Sequence, residues 1–259
     1  MARNSVPFHI LGVRVDPVSQ RDLNAEIEAL LDSDQKQLIL NVNTNCLNLA
    51  FEHAWLRNFL NSAHIVFCDG YGVILGASLL GHHLDERTTF ADWIHPLSEL
   101  AVHHGYTLFF LGARPGVAEK AASRLLETFP ALRIAGTQHG YFDKAPGSAD
   151  NRRVIDKINA ARPDILFVSF GMPLQEQWLM DNWEMLDVRI GLTAGAMLDY
   201  IAGFLKRPPR WMTDHGLEWF GRLIIEPRRL WKRYLIGIPV FLWRVLTQRL
   251  GLLRFDDWS

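Results

Sequence analysis

HIVFCDGYG, residues 64–72, is the stretch whose reading sets the fold class. Its apolar run Ile65, Val66, Phe67 and Cys68 stops at Asp69 and gives way to Gly70 and Gly72. A short apolar run closed by turn residues is the pattern of a buried strand that ends in a loop. In open α/β sheets, ligands bind beyond the carboxyl ends of the strands. An acid at that point serves as a general base or a ligand contact, or it caps the next helix, because Asp-Gly is also ordinary turn chemistry. From these nine residues alone, capping is the simpler reading.

The same pattern recurs on both sides. Upstream, residues 8–15 read as a strand, 21–31 as a helix opened by Ser19 and Asp22, 38–42 as a buried strand and 47–60 as a helix. Strand 38–42 runs into a polar loop of Asn41, Asn43 and Asn45. Downstream, 73–80 and 92–103 read as helices, with 86–89 as a polar link. Strand 107–111 ends in Gly112, Ala113, Arg114, Pro115 and Gly116, and helix 117–129 follows. A short strand at 132–135, a loop HGYF at 139–142 and a helix at 150–161 come next. Strand 165–170 is closed by Gly171 and Pro173, and 175–183 reads as a helix. Strand 188–192 leads into Thr193, Gly195 and a helix starting near Ala196. Strands that alternate with helices predict an α/β fold: a Rossmann-like, mostly parallel sheet with helices on both faces.

After Gly203 the chemistry changes. KRPPRW at 206–211 is a Pro-rich junction, and helices are expected at 217–225, 228–237 and 241–250, interrupted by Pro227 and Pro239. Residues 206–254 hold 11 Lys/Arg against 3 Asp/Glu, whereas the rest of the chain holds 16 against 25. Four of the nine tryptophans lie in the same segment. The expected division is an α/β catalytic domain over 1–203 and a basic, Trp-rich helical appendage over 204–259. The apolar run 235–243 has nine residues and contains Pro, so it is too short to span a bilayer and suited to lie on one. A helix that simply docks on the sheet is the alternative.

The 259 residues, 49% of them hydrophobic, allow one large α/β domain with such an appendage. Cys46 and Cys68 both fall inside expected elements, which points to a reducing compartment rather than a disulfide framework. The N-terminal stretch lacks the apolar core of a signal peptide, and no run reaches 18 apolar residues. The expected location is therefore the cytoplasm.

Five strand ends carry glycine and polar residues: 41–45, 69–72, 112–116, 171–176 and 193–199. Glycine lets backbone N–H groups approach an anion, and a helix start adds a favourable dipole. Gly112 to Gly116 fits a nucleotide-diphosphate contact, but it is not GxGxxG, and no GxxxxGK[ST] occurs. Gln175 suits a hydrogen bond to sugar or phosphate, or simply belongs to a helix start with Glu176; Asp199 has the same two readings. No HExxH, no Cys/His ligand spacing and no GxSxG occurs, so neither a metal, a cofactor nor a serine-hydrolase elbow is expected. Arg222, Arg229 and Arg233 fall on one side if the helices continue across Pro227, and arginines neutralise diphosphates. A solvated basic face is the alternative.

Taken in order, these segments resemble the WecG/TagA/CpsF glycosyltransferases (glycosyltransferase family 26). The matching segments are NVN at 41–43, DG at 69–70, ERTTFAD at 86–92, FLGARPG at 110–116 and GYF at 140–142. PDILFVSFGMPLQE at 163–176, TAGAMLDYIAG at 193–203, RPPRW at 207–211 and GLEWFGRLIIEPRRLWKRY at 216–234 complete the set. The resemblance implies a Rossmann-like variant sometimes called GT-E, with a C-terminal helical appendage. It implies a metal-independent transfer from a UDP-sugar to a sugar on undecaprenyl diphosphate, at the inner face of the bacterial cytoplasmic membrane; with one candidate carboxylate and no obvious nucleophile, direct displacement with inversion is expected. Members use N-acetylmannosamine, its uronic acid or glucose. Asp69 corresponds to the proposed base, with Asn43, Gln175, Arg222 and Arg229 as further catalytic residues. Asn41, Arg87, Gly112, Ala113, Arg114, Gly140, Tyr141, Phe142, Gly171, Pro173, Gly195, Asp199, Lys232 and Arg233 are the expected substrate contacts. The expected partners are the UDP-sugar, the lipid-linked acceptor and a membrane surface, with no nucleic acid; a homo-oligomer is compatible with the chain. Three positions depart from the family pattern: Asn41 replaces a threonine, Phe90 a glycine and Leu174 a lysine. Two other classes stand beside this one, a nucleotide-dependent oxidoreductase and a non-catalytic membrane-associated scaffold.

Overall fold

The structure is a computed structural model that describes residues 6–33, 35–253 and 255. Arg254 and 256–259, the end of the expected appendage, and residues 1–5 lie outside the described residues. Six strands, β3 (Gln37–Val42), β4 (Ile65–Cys68), β5 (Thr107–Gly112), β6 (Arg133–Gln138), β7 (Ile165–Ser169) and β8 (Ile190–Thr193), form one sheet in the order β4-β3-β8-β7-β5-β6. The pairs β3–β8, β8–β7, β7–β5 and β5–β6 are parallel, as the alternation of elements predicts. β4, β7 and β8 are buried along their whole length, which is why β4 reads as an unbroken apolar run and β7 as one up to Ser169.

The chain divides into two compact units, 1–19 with 41–88 and 206–259, and 20–40 with 89–205. In the first, the strand expected over 8–15 is a hairpin, β1 (Phe8–Ile10) and β2 (Val13–Val15), paired antiparallel. Leu11 (φ 52°) and Gly12 (φ 79°) make the tight turn, and two successive positive φ values suit the twist of a two-residue hairpin. The helix expected over 47–60 is two helices, α2 (Thr44–Glu52) and α3 (Ala54–Ser62), because His53 is extended between them. Helix α4 (Tyr71–Leu80) follows β4.

The C-terminal segment of this unit comprises α10 (Arg210–Asp214), α11 (Glu218–Ile225), α12 (Pro227–Trp231), a π-helical turn at Lys232–Ile236 and α13 (Gly237–Arg249). Pro239 does not interrupt α13; it is the third residue of that helix and follows directly on the π-helical turn Lys232–Ile236. α13 is tied down by side chains rather than by apolar packing alone. Asn48 Nδ2 donates to Gly237 O at 2.8 Å, and Arg244 reaches Asn48 Oδ1 at 3.1 Å and Glu52 at 2.7 Å. Gln248 bonds Leu11 N and His9 O of the hairpin. Phe241, fully buried, lies so close to α4 that a Cβ on Gly76 would sit 2.7 Å from its ring.

In the second unit the sheet core is Phe109, Phe110 and Phe167, with Trp93 and Trp178 also buried. It contains α1 (Gln20–Asp32), α5 (Phe90–His104), α6 (Val117–Thr128), α7 (Ala149–Ala161), α8 (Leu174–Asn182) and α9 (Met197–Ile201). Phe90 is part of this core, tilted on Trp93 and edge-on to Phe167.

A strand-end carboxylate and its arginines

The capping reading of Asp69 fails on geometry. Gly70, at φ 136°, is the residue before α4, and no side chain caps that helix. Asp69 N instead donates to Val42 O at 2.8 Å, and the carboxylate accepts from Asn41 Nδ2 at 2.9 Å. An asparagine in place of a threonine thus supplies a donor aimed at the acid. Burial raises the Asp69 carboxyl to about 6, and the Glu218 carboxylate adds to this; Arg87, Arg222 and the Asn41 bond pull the other way. A carboxylate with that balance is ionised at neutral pH yet holds a proton far better than an exposed one, which is what a general base requires. The neighbouring Cys68 thiol is pushed up to about 12, first by burial and then by Asp69, so it stays protonated.

The cations nearby come from three segments. Arg87 Nη1 pairs with Glu218 Oε2 at 2.6 Å, Nη2 donates to Thr213 O at 3.1 Å, and the guanidinium lies 4.8 Å from the Tyr71 ring centre. Arg222 projects from α11. Arg233, on the π-helical turn, is lowered by burial, while Asp69 supports its charge and Arg222 and Arg229 oppose it. Among the described residues its Nε has no hydrogen-bond partner. Arg229 and Lys232 lie farther out: Arg229 pairs with Glu226, and Lys232 sits over the Trp231 ring, both exposed. Asn43 has a structural task, since its Oδ1 caps α2 by accepting from Asn45 N and Cys46 N. Glu218 escaped sequence reasoning, although it is one of only three acids among the 11 cations of 206–254. That isolated sign was the available signal.

The second unit gathers the glycine-bearing turns. Gly112 (φ 146°) and Ala113 (φ 55°) bend the chain after β5, and Ala113 N donates to Ser169 O at 3.0 Å. Gly140 N donates to Ala113 O at 2.9 Å, so the loops after β5 and β6 touch there. Arg114 and Tyr141 are exposed, and Phe142 meets Phe170 edge to face with Lys144 over both rings. Gln175 is fully buried and its amide is spoken for. Oε1 accepts from Gly171 N at 3.2 Å and Gly195 N at 3.1 Å, and Nε2 donates to Glu176 Oε1 at 2.8 Å. It therefore braces the loops after β7 and β8, beside the cis Met172–Pro173 bond. Burial raises the Glu176 carboxyl to about 7, and among the described residues its Oε2 has no partner. Asp199 lies half-buried in the first turn of α9, and Leu174, the departure from lysine, is exposed at the start of α8. Among the described residues no three His, Cys, Asp or Glu side chains are grouped to hold a metal ion.

A strand-end acid freed from capping, whose charge is felt by Arg87 and by Arg222 and Arg233 of the C-terminal helices, coincides with a sequence match across nearly the whole chain. The family model described as "Glycosyl transferase WecG/TagA/CpsF family" matches residues 8–254. The chain belongs to that family. Among curated proteins it is 30% identical to the N-acetylglucosaminyldiphosphoundecaprenol N-acetyl-beta-D-mannosaminyltransferase of Bacillus subtilis (strain 168), over 83% of this chain and 82% of the relative. It is 31% identical to the protein of the same name from Bacillus spizizenii, over 83% and 81%. Against the protein of that name from Staphylococcus aureus (strain MRSA252), identity is 27% over 93% of both chains. Family membership makes this chain a glycosyltransferase and sets aside the oxidoreductase alternative.

Proposed function

We propose that this enzyme transfers N-acetylmannosamine from its UDP derivative to a sugar carried on undecaprenyl diphosphate, by direct displacement with inversion and without a metal ion. The observation that carries the reading is Asp69: an ionisable acid, raised to about 6, with no capping duty and with arginines on its flank. The names of the relatives supply the donor sugar and the lipid-linked acceptor.

In this reaction Asp69 takes the proton of the acceptor hydroxyl while that oxygen attacks the anomeric carbon of the donor. The bond to the UDP oxygen breaks as the new C–O bond forms, and UDP departs with its charge increased. Arg222, Arg229, Lys232 and Arg233 are the cations assigned to that charge, in the place where other transferases use a metal. The turn at Gly112–Gly116 is assigned to the donor nucleotide, with Arg114, Tyr141 and Phe142 beside it, whereas the amides of Gly140, Gly171 and Gly195 are engaged within the protein and only shape the neighbouring turns. Gln175 serves by holding two of those turns in register.

Access to a lipid-linked acceptor calls for a membrane surface. No helix among the described residues is long and apolar enough to cross a bilayer. The C-terminal helices nevertheless expose Trp211, Phe220, Ile224, Leu235, Ile236 and Trp243 among their basic residues, which suits peripheral attachment to anionic lipid.

Purified protein, treated with EDTA, should convert UDP-N-acetylmannosamine and a synthetic N-acetylglucosaminyl-diphospholipid to a disaccharide lipid. UDP-glucose and UDP-N-acetylmannosaminuronate in parallel reactions should give at most a tenth of that rate, roughly the discrimination one or two lost hydrogen bonds provide. Equal or better use of another donor overturns the sugar assignment, and loss of turnover restored only by a divalent ion overturns the metal-free one.

A further inference from the structure

Glu218 is a desolvated acid in the most basic part of the chain. Its side chain is 17% exposed and that of its partner Arg87 12%. Arg87 is spent on three contacts at once: the Glu218 carboxylate, the Thr213 carbonyl and the Tyr71 ring. Gly216, at φ 75°, brings backbone against the other contact of that ring, where a Cβ would lie 3.1 Å from Tyr71 Cγ. The junction between α10 and α11 is thereby fastened to the residues that follow β4. Glu218 and Arg222 are four residues apart on α11, so they share a face, and Asp69 feels both. A pair this buried adds little to stability over an apolar pair of the same shape, whereas it fixes where charges stand.

We propose that Glu218 is a positioning residue for the transfer: it engages the Arg87 cation, keeps Asp69 from being over-neutralised, and sets α11 so that Arg222 faces the carboxylate. Among the described residues, the charged and titratable groups facing Asp69 are Glu218 and Arg222 from α11, Arg87 from the segment after α4, Arg233 from the π-helical turn and the Cys68 thiol at the end of β4. Removing the Glu218 charge acts on Asp69 in one direction only. It deletes the repulsion and leaves the Arg87 charge unbalanced, and both lower the pH at which the acid ionises.

This inference rests on Asp69 being the base, and the test separates the two. Full-length Glu218→Gln keeps an oxygen to accept from Arg87 and loses the charge. With UDP-N-acetylmannosamine and the synthetic acceptor, its acidic limb of kcat/KM should fall by about one pH unit, with a several-fold lower plateau from the weaker base. Glu218→Ala should in addition speed tryptic cleavage near Arg210. If Asp69→Asn is inactive and Glu218→Gln keeps the wild-type limb, the Glu218 role is wrong and the base assignment stands. If Asp69→Asn transfers sugar normally, the base assignment itself falls, and this role with it.

Discussion

Asp69→Asn should lower the transfer rate by about 10²–10⁴-fold, the usual worth of a general base, while UDP still binds. The substitution is well suited to isolate chemistry. The new amide keeps an oxygen that accepts from Asn41 Nδ2, so the carboxyl end of β4 stays in place. The folded state raises the Asp69 carboxyl from 3.8 to about 6, so ionising it opposes folding. That cost is absent below the unfolded value, grows between about 4 and 6, and is present in full above about 6. At pH 7–8 the asparagine variant is therefore expected to unfold at the same denaturant concentration as the wild type or higher. A rate loss accompanied by equal destabilisation would mean that Asp69 holds the fold rather than the proton. Calorimetric titration with UDP and urea unfolding of the same preparation distinguish these results.

Gly112→Ala should be the most damaging single methyl in the second unit. Gly112 sits at φ 146°, where side chains are strained, and its Cβ would stand 2.4 Å from Ser169 O and 2.6 Å from Ser169 C. Backbone on a neighbouring β-strand cannot retreat as a side-chain tip would. The strain and the overlap together should cost about 3–5 kcal/mol, and the turn assigned to the donor nucleotide should be displaced. Gly116→Ala is the control. It also has positive φ, 83°, but nothing lies within 4 Å of its Cβ, so only about 1–2 kcal/mol of conformational cost remains. Equal stability of the two variants in urea would show that the loop after β5 can move away from β7.

Much of this was legible in the chain because buried parallel strands leave a strong signal. Ile65–Cys68 is an unbroken apolar run closed by Asp-Gly, the stretch 165–170 is apolar but for Ser169 and closed by Gly-Met-Pro, and both ends fall within a residue of the strands. The break at His53 was not legible, since no proline or glycine marks it and the apolar spacing continues through both helices. Pro239 misled for the opposite reason: a proline reads as an interruption, yet the helical backbone runs through it from the π-helical turn before it. At the site, the identity of Asp69 was legible and its state was not. Whether an acid after a strand caps a helix or faces an asparagine depends on the φ of Gly70 and on Asn41, 28 residues away. Gln175 stood out as a polar residue at a helix start, but only the fold brings both ends of its amide into bonds within the protein. Phe90, conspicuous as a departure from glycine, packs in the core against Phe167 and Trp93. Any influence it has on the donor must pass through the backbone at the start of α5.

The proposed transfer requires the Asp69 carboxylate to accept the acceptor's proton. The pH dependence of single-turnover transfer, with saturating UDP-N-acetylmannosamine and synthetic acceptor between pH 4.5 and 8.5, tests it directly. The rate should climb tenfold per unit at low pH, bend near pH 6 where Asp69 ionises and level off above, and this limb should vanish in the residual activity of Asp69→Asn. A wild-type rate that stays flat down to pH 5, or an unchanged limb in the asparagine variant, would contradict the assignment.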